Sequence, residues 1–275
     1  MNATIEQCRG ATWLAKLTGN GMAAAGYPAS VRVTDAHLAD VAARYIAVVP
    51  DPENRFPRVR NGEVGLIEGW QLARAVHQIT AADYDSHNKR PIVSIIDVTS
   101  QAYGRREEAY GIHQALAGAA GAYAEARLAG HPVIGLIVGN AMSGAFLAHG
   151  YQANRLIAIN DPKVMVHAMG KASAARITLR SIEALEALAA EVPPMAYDIQ
   201  SFASLGLLWR CLDLADPEAP SDADIQQVQA SLEDALADIL KDTRRDLSSR
   251  LGATHRKAST QVRDMLRAQW SANAT

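Results

Sequence analysis

The residues best suited to chemistry lie where an apolar run gives way to glycine, alanine and serine. Val133–Val138 leads into Gly139, and the small residues that follow end at Ser143 and Gly144. This pattern predicts a buried strand, a tight bend and the first turn of a helix. Backbone N–H groups there have no intrahelical partner, and the helix dipole adds partial positive charge. We expect the bend to bind an oxyanion, although tight packing alone would also explain the small residues.

A second polar segment follows the apolar run Ile92–Ile96. Asp97 is followed by Val-Thr-Ser-Gln-Ala-Tyr-Gly104, and Glu107 and Glu108 come soon after. Ligands of open α/β sheets collect outside the carboxyl ends of the strands, so we expect this loop and the Ser143 bend to face one pocket. We interpret the two glutamates as complementing a helix N-terminus. For Asp97 two roles stay open, a functional carboxylate facing the pocket and a brace of the loop.

A histidine closes the segment Asn160–His167, which is predicted to be another strand. The near-neutral pKa typical of histidine would let His167 act as a base or proton donor towards Ser143. The alternative is a structural histidine with satisfied hydrogen bonds, which is the commoner case. We interpret His149-Gly150 as an ordinary helix C-terminus, with a residue that can carry positive charge followed by a glycine cap.

Four short apolar runs alternate with helical patterns, which predicts βαβ units and an α/β fold. The strands are Tyr45–Val49, Ile92–Ile96, Val133–Val138 and Leu156–Ile159, and the helices are Gly69–Thr80, Arg106–Leu128 and Ser143–Ala148. The glycine-dense stretch Asn61–Trp70 lacks the ending of a P-loop, so we interpret it as a turn that shapes the pocket wall.

The chain is expected to divide into an N-terminal extension (1–40), a main domain (41–214) and a C-terminal part (215–275). The C-terminal part comprises the linker Ala215–Ser221 and two amphipathic helices, Asp222–Leu240 and Ala258–Trp270. A further helix is expected at Ser181–Ala190, capped by Ser181.

Composition excludes several classes of function. A net charge of −2 over 275 residues gives no electrostatic footprint for nucleic acid or for an anionic membrane. Cys8 and Cys211 lie far apart, which is typical of reduced thiols, and no apolar run approaches the roughly 20 residues that span a bilayer. Met1–Gly10 has no signal-peptide pattern, so a cytoplasmic protein is expected. No sequence motif predicts a metal site or a G-x-S-x-G hydrolase elbow.

Two of these segments together resemble the carboxyltransferase branch of the crotonase superfamily. Asp97–Gly104 resembles the loop D-T-P-G-x-x-x-G of that branch, and Asn140–Phe146 resembles its A-x-G-G-A turn. Ser143 stands where the first glycine of the pair would be, and Val98-Thr99 replaces Thr-Pro. Within the branch, three more segments are similar to the gamma subunit of biotin-independent malonate decarboxylase: Val48–Arg58, Gly62–Trp70 and Pro193–Asp198.

The resemblance implies a crotonase-like (ClpP/crotonase) fold and a carboxy-lyase within a heteromeric complex. A beta subunit, an acyl carrier protein and an acyl carrier protein transferase subunit would be its partners. The substrate would be a malonyl thioester on the carrier's phosphopantetheine-type arm, which derives from dephospho-CoA, or on CoA, with no biotin and no permanently bound cofactor. The implied catalytic residues are Ser143, Gly144 and His167. The implied substrate-binding residues are Gln101, Ala102, Tyr103, Gly104, Ala141 and Met142.

Two other functions fit some of the residues. Gly139-x-Ala-x-Ser143 and Val164–His167 are similar to the serine and histidine segments of Clp-type peptidases, which share the fold. Ser143 would then be a nucleophile, His167 its base and an acid such as Asp213 the orienting group. That interpretation leaves Asn61–Trp70 and Asp97–Gly111 unexplained. The third possibility is a non-catalytic scaffold that completes a partner's pocket.

Overall fold

An eight-stranded sheet forms the centre of the computed structural model, which describes residues 8–272. Its strands are β1 (Met22–Ala23), β2 (Val31–Leu38), β3 (Val41–Val48), β4 (Ile92–Val98), β5 (Val133–Met142), β6 (Arg155–Ile159), β7 (Val166–His167) and β8 (Arg210–Leu212). The order is β1-β2-β3-β4-β5-β6-β8, and β7 pairs with the end of β5. β1, β2 and β3 are antiparallel, and the strands from β3 onward are parallel.

Helices cover both faces of this sheet. They are α1 (Arg9–Thr18), α2 (Leu66–Ala82), α3 (Arg105–Ala109), α4 (Ile112–Leu128), α5 (Ser143–Ala148), α6 (Lys171–Thr178), α7 (Ile182–Glu191), α8 (Ile199–Ser204), α9 (Asp222–Lys241) and α10 (Lys257–Ala272). Successive strand residues point to opposite faces. Asp97 meets Gly10 of α1, whereas Ile96 lies against Gly150, just beyond α5. Burial on both faces explains why the parallel strands read as continuous apolar runs.

The predicted strands and helices are largely confirmed, with three corrections. The helix expected over Arg106–Leu128 is two helices, because Gly111 adopts a φ of +80° between α3 and α4. The helix α2 already begins at Leu66, so half of the expected glycine-rich turn is helical. Of the strand expected over Asn160–His167, only Val166–His167 forms, since a turn precedes it in which the Val164 N–H donates to the Asp161 carbonyl.

The N-terminal residues contribute to the central sheet. β2 pairs with β3 along its whole length, from Val31 opposite Val48 to Leu38 opposite Val41. The predicted boundary after residue 40 therefore falls in the turn of a hairpin. Trp13 of α1 is fully buried. Residues 1–7, which make up most of Met1–Gly10, lie outside the described residues.

Between residues 8 and 272, no helix is long and apolar enough to cross a membrane.

Candidate functional site

The bend between β5 and α5 has an unusual backbone conformation. Ser143 has a φ of +58°, which costs a residue with a side chain about 1–2 kcal/mol and which glycine adopts freely. Its hydroxyl donates a hydrogen bond of 2.6 Å to the Ala168 carbonyl. A position that requires positive φ accounts for the glycine that the resembled turn carries there.

The Gly144 N–H, expected to be a free donor, is engaged by a side chain. It donates to the Gln101 amide oxygen at 2.9 Å, across 43 residues of sequence. A Cβ built on Gly144 would lie 3.4 Å from that oxygen and 3.4 Å from Leu116 Cδ1, which are ordinary contacts. The acceptor is thus a side-chain amide, which a ligand could displace, rather than a backbone carbonyl.

Gln101 is positioned by the end of the loop that precedes α2. The Val64 N–H donates to the Ser100 carbonyl at 3.0 Å, and the Ala102 N–H donates to the Val64 carbonyl at 2.8 Å. Beneath them lies a small apolar cluster made of Phe56, Val59, Leu66, Ala102, Ile112 and Ala115. The loop expected to shape the pocket wall therefore fixes the position of Gln101 through Val64, a contact that the sequence does not indicate.

The other predicted substrate-binding residues differ in their accessibility. Tyr103 is exposed, with the Arg58 guanidinium 4.5 Å above its ring centroid. Gly104 is extended and caps the N-terminus of α3. Ala102 is fully buried in the apolar cluster, and Ala141 and Met142 are buried where β5 pairs with β7. Ala102, Ala141 and Met142 therefore support the site by packing in the core, and their side chains do not reach a ligand.

Asp97 braces the elements around the bend. Its carboxylate accepts the Asn140 N–H at 3.0 Å and the Gly10 N–H at 3.3 Å. It thereby joins the C-terminal end of β4 to β5 and to α1, which is the bracing role that the sequence left open for it.

His167 lies beside the bend, because it pairs with Met142 across β5 and β7. Its ring stacks on Tyr197 with centroids 3.9 Å apart, and its Nδ1 lies 3.0 Å from the Met169 carbonyl oxygen. Burial lowers the pKa of His167. The Met169 N–H also lies 3.2 Å from Nδ1, so Met169 contacts this nitrogen both as donor and as acceptor, and Nε2 is the ring nitrogen that remains to exchange a proton.

The arrangement of a serine hydrolase is not formed. The Ser143 hydroxyl donates to Ala168 and not to His167. Asp213 accepts from the Asn160 amide at 2.5 Å, and the hydrogen bonds of His167 within the described residues go to Met169 and not to Asp213. Neither link of a Ser-His-Asp relay is therefore made by these residues.

His149 contradicts its interpretation as an ordinary helix end that can carry positive charge. It is fully buried, with Nε2 3.0 Å from the Ile95 carbonyl oxygen and Nδ1 3.1 Å from the Tyr123 hydroxyl. Burial lowers the pKa of His149 to about 4, so the ring is neutral. The glycine that follows it does adopt the left-handed conformation expected of a cap, with Gly150 at φ +99°.

No group of three or more His, Cys, Asp or Glu residues in the described part of the chain could hold a metal ion.

Comparison with known proteins gives consistent matches. A sequence model of the family "malonate decarboxylase gamma subunit" matches residues 59–270. A curated relative, the malonyl-S-ACP:biotin-protein carboxyltransferase MADD of Malonomonas rubra, is 39% identical over 155 residues, which is 55% of this chain and 53% of that protein. The match thus spans about half the length of that relative.

Solved structures agree with these matches. A chain of a Pseudomonas malonate decarboxylase hetero-tetramer in complex with coenzyme A is 65% identical, with a TM-score of 0.92 over 96% of this chain and 100% of that one. A chain of the Pseudomonas MdcD-MdcE hetero-dimer is 61% identical, with a TM-score of 0.89 and the same coverage. The transcarboxylase 12S core, at 20% identity and a TM-score of 0.62 over 83% of this chain and 41% of that one, shares the fold alone. The predicted crotonase-like α/β fold is confirmed.

Proposed function

The chain belongs to the malonate decarboxylase gamma subunit family, and on that premise we propose that it acts with a beta subunit to convert malonyl-S-acyl carrier protein to acetyl-S-acyl carrier protein and CO2. Similar chains form hetero-dimeric and hetero-tetrameric malonate decarboxylases. We further propose that the thioester is carried on the phosphopantetheine-type arm of an acyl carrier protein subunit, or on CoA. An acyl carrier protein transferase subunit would load that arm.

The reaction breaks the bond between the malonyl α-carbon and its carboxylate. The electron pair of that bond moves into the thioester and forms an enolate, and CO2 departs. The α-carbon then takes one proton to give the acetyl thioester. Such chemistry requires hydrogen-bond donors where negative charge collects, and a removed donor of this kind costs about 100- to 1,000-fold in rate. It requires no biotin, since nothing has to accept the CO2.

The observation that carries the proposal is the bond from the Gly144 N–H to the Gln101 amide oxygen. A neutral carbonyl oxygen already occupies this donor, and a thioester or carboxylate oxygen has the same acceptor chemistry. In the proposed reaction the substrate oxygen takes the place of the Gln101 amide oxygen. Because Gly144 has no Cβ, the substrate can approach the backbone N–H closely. Ser143 lies in the bend and His167 lies beside it, and His167 would hold or deliver a proton.

A charge placed on Gln101 tests this exchange. Gln101→Glu adds a carboxylate to the Gly144 donor, where it both competes with and repels an anionic substrate. With the co-purified complex of both subunits, we expect the KM for malonyl-CoA to rise at least about tenfold. Gln226→Glu adds the same charge to an exposed position of α9 and should leave KM unchanged. Equal kinetics for the two variants would contradict the exchange.

The engaged amide also favours a second candidate, a scaffold that completes the pocket of the beta subunit without touching the substrate. Gly144→Val separates the two, because the larger side chain would crowd Gln101 and Leu116. If both Gly144→Val and Gln101→Glu leave decarboxylation by the complex unchanged, the scaffold is the better account.

A further inference from the structure

The segment Pro193–Asp198, one of those that are similar to the gamma subunit family, lies directly beside β7. The Val166 N–H donates to the Tyr197 carbonyl at 2.9 Å, and Met165 pairs with Asp198 in an isolated antiparallel bridge. β7 has only two residues, so these contacts hold a strand that could not be held by its own length. The segment thereby fixes the backbone on which the histidine of the candidate site lies.

The far end of this segment is anchored to the helix that begins at the bend. Asp198 caps α8 by accepting the Ser201 N–H at 2.8 Å. Ile199 and Phe202 of α8 are buried, and the Phe202 ring meets the Phe146 ring of α5 edge-on with centroids 6.4 Å apart. Because α5 starts in the bend, the segment is held between β7 and the bend itself.

The Tyr197 side chain covers one face of the His167 imidazole. The two rings are stacked, with centroids 3.9 Å apart and an interplanar angle of 14°. At the ring edge, the carbonyl oxygen and the N–H of Met169 lie 3.0 Å and 3.2 Å from Nδ1. One face and one nitrogen are thus engaged, which fixes the plane of the ring and leaves Nε2 to exchange a proton.

The Tyr197 hydroxyl takes no part in holding the imidazole. Its oxygen is buried and has no hydrogen-bond partner among the described residues. The contact with His167 is therefore made by the aromatic face and not by the phenol oxygen. Phenylalanine should replace this tyrosine, whereas a side chain without a flat face should not.

Burial, rather than a neighbouring charge, controls the protonation of His167. Burial lowers its pKa, and the bond to Met169 raises it in part. Of the charged groups nearby, Lys171 lies 5.5 Å from the Tyr197 centroid but bonds to Glu186 at 2.7 Å. The remaining one, Asp198, is engaged as the cap of α8. Loss of the tyrosine ring should let water reach the imidazole and raise its pKa towards the ordinary value.

We propose that Tyr197 is a positioning residue for His167, because its ring holds the imidazole in the plane from which Nε2 passes a proton to the α-carbon of the enolate. This inference rests on the proposed function, in which His167 supplies that proton. In the transfer, the Nε2–H bond breaks as a C–H bond of the acetyl group forms, and a proton from solvent then restores the Nε2–H. Tyr197 itself touches neither the substrate nor the transferred proton.

Proton NMR of the histidine rings in the full chain tests the contact without requiring turnover. The His167 signal is assigned by its loss in His167→Asn. In the wild type, the ring current of Tyr197 should move this signal upfield, and burial should make it titrate below the ordinary histidine range. Tyr197→Phe should keep both properties. Tyr197→Ala should move the signal downfield and its titration to higher pH.

Decarboxylation of malonyl-CoA by the two-subunit complex gives a second readout. Tyr197→Ala should lower kcat at least about tenfold, because a positioned proton donor contributes about 100- to 10,000-fold. KM should change by less than about twofold, and Tyr197→Phe should keep kcat within about twofold of the wild type. Ile199→Ala, which removes a buried side chain of α8 and leaves the stacked pair in place, is the matched control and should lower stability but not kcat.

An unmoved His167 signal in Tyr197→Ala would overturn the proposal. An equal loss of kcat in Ile199→Ala would do the same, since it would assign the effect to a general loosening of the segment. If Tyr197→Ala does not fold, Tyr197→Leu keeps an apolar side chain without the flat face and should show the same downfield move and loss of kcat. A signal that moves while kcat stays unchanged would count against the proton role of His167 in the proposed function, and the hold of Tyr197 on the ring would stand.

Discussion

Ser143 and Gly144 are adjacent, but their backbones serve the bend in different ways. Ser143 adopts a left-handed conformation that favours glycine, and its hydroxyl bond to the Ala168 carbonyl offsets part of the cost. Gly144 contributes its N–H and the space that a missing Cβ leaves. The serine therefore anchors the turn to the chain after β7, while the glycine leaves space around an N–H that Gln101 occupies.

His149 shows how burial alone can fix a protonation state. Its two ring nitrogens are used by the Tyr123 hydroxyl and the Ile95 carbonyl, with no carboxylate among these partners. A proton on Nδ1 would remove its capacity to accept from Tyr123, and the added charge would be buried. Both effects favour the neutral ring, in agreement with a pKa of about 4.

Stability should therefore fall as the pH is lowered from about 6.5 to about 4. The unfolded chain binds a proton at His149 near pH 6.5, whereas the folded chain resists it until about pH 4. The free energy of unfolding should lose about 3 kcal/mol over this interval from His149 alone, at about 1.4 kcal/mol per pH unit. Urea denaturation at pH 7.5 and pH 5 should show a smaller loss for His149→Gln. An equal loss in both proteins would assign the pH dependence to other groups.

Asp97, at the end of β4, joins that strand to β5 and α1, and its carboxylate lies in the space beside Gly139. A Cβ on Gly139 would overlap the Asp97 carboxylate, which holds the N–H groups of Gly10 and Asn140. Only glycine leaves room for a carboxylate packed directly on the strand. The brace between β4, β5 and α1 thus depends on the residue type at one position.

Gly139→Ala should destabilise the fold by about 1–3 kcal/mol, because the new methyl group must displace the carboxylate or the strand. Gly144→Ala is the matched control, since its nearest contacts are 3.4 Å away, and its stability should change by less than about 0.5 kcal/mol. Thermal and urea unfolding of both variants would measure the difference. Similar stabilities would mean that Asp97 moves aside without cost.

A strand is predictable from sequence when both of its faces are buried, because its residues are then apolar throughout. β4, β5 and β6 are covered on both faces, so their apolar runs predict them directly. β2 was missed because only Val31, Val33 and Leu38 of its eight residues are buried. The turn at Ser143 was predictable from its small residues.

Contacts between residues far apart in the chain are not predictable from this sequence. Nothing near Gly144 in sequence indicates that Gln101 bonds to it, since the position of Gln101 depends on Val64. The burial of His149 likewise depends on Tyr123, 26 residues away. Sequence thus predicted the backbone bend of the site but not the side chains that engage it.

At the scale of the whole chain, the two C-terminal helices differ in how they contribute to the fold. α9 adds Val228, Leu232, Ala235 and Ile239 to the hydrophobic core. Arg155 at the start of β6 bonds Asp238 at 2.6 Å and Asp242 at 3.2 Å, which fastens the end of α9 to the sheet.

Beyond α9 the chain stays in contact with the main body as far as Ala253, which lies against Gly206, and Arg250 makes the strongest of these contacts. That side chain is buried and donates to the Tyr151 and Ala153 carbonyls. In α10, by contrast, the large apolar side chains Val262, Met265, Leu266 and Trp270 are between 55% and 81% exposed. Burial of apolar surface is what makes a helix stabilise a fold, so α10 contributes little to the isolated chain.

A chain that ends after Arg256 should therefore fold as stably as the full chain. It retains α9 and the Arg250 contacts and loses a helix whose large apolar side chains are exposed, so its midpoint of thermal unfolding should stay within about 2 °C. A chain that ends after Ser221 loses the core residues of α9 and should not fold, which provides the control. Circular dichroism melts of both truncations would test this division. A drop of many degrees in the longer truncation would mean that α10 packs on the body of the isolated protein, and its exposed apolar face would then need another explanation.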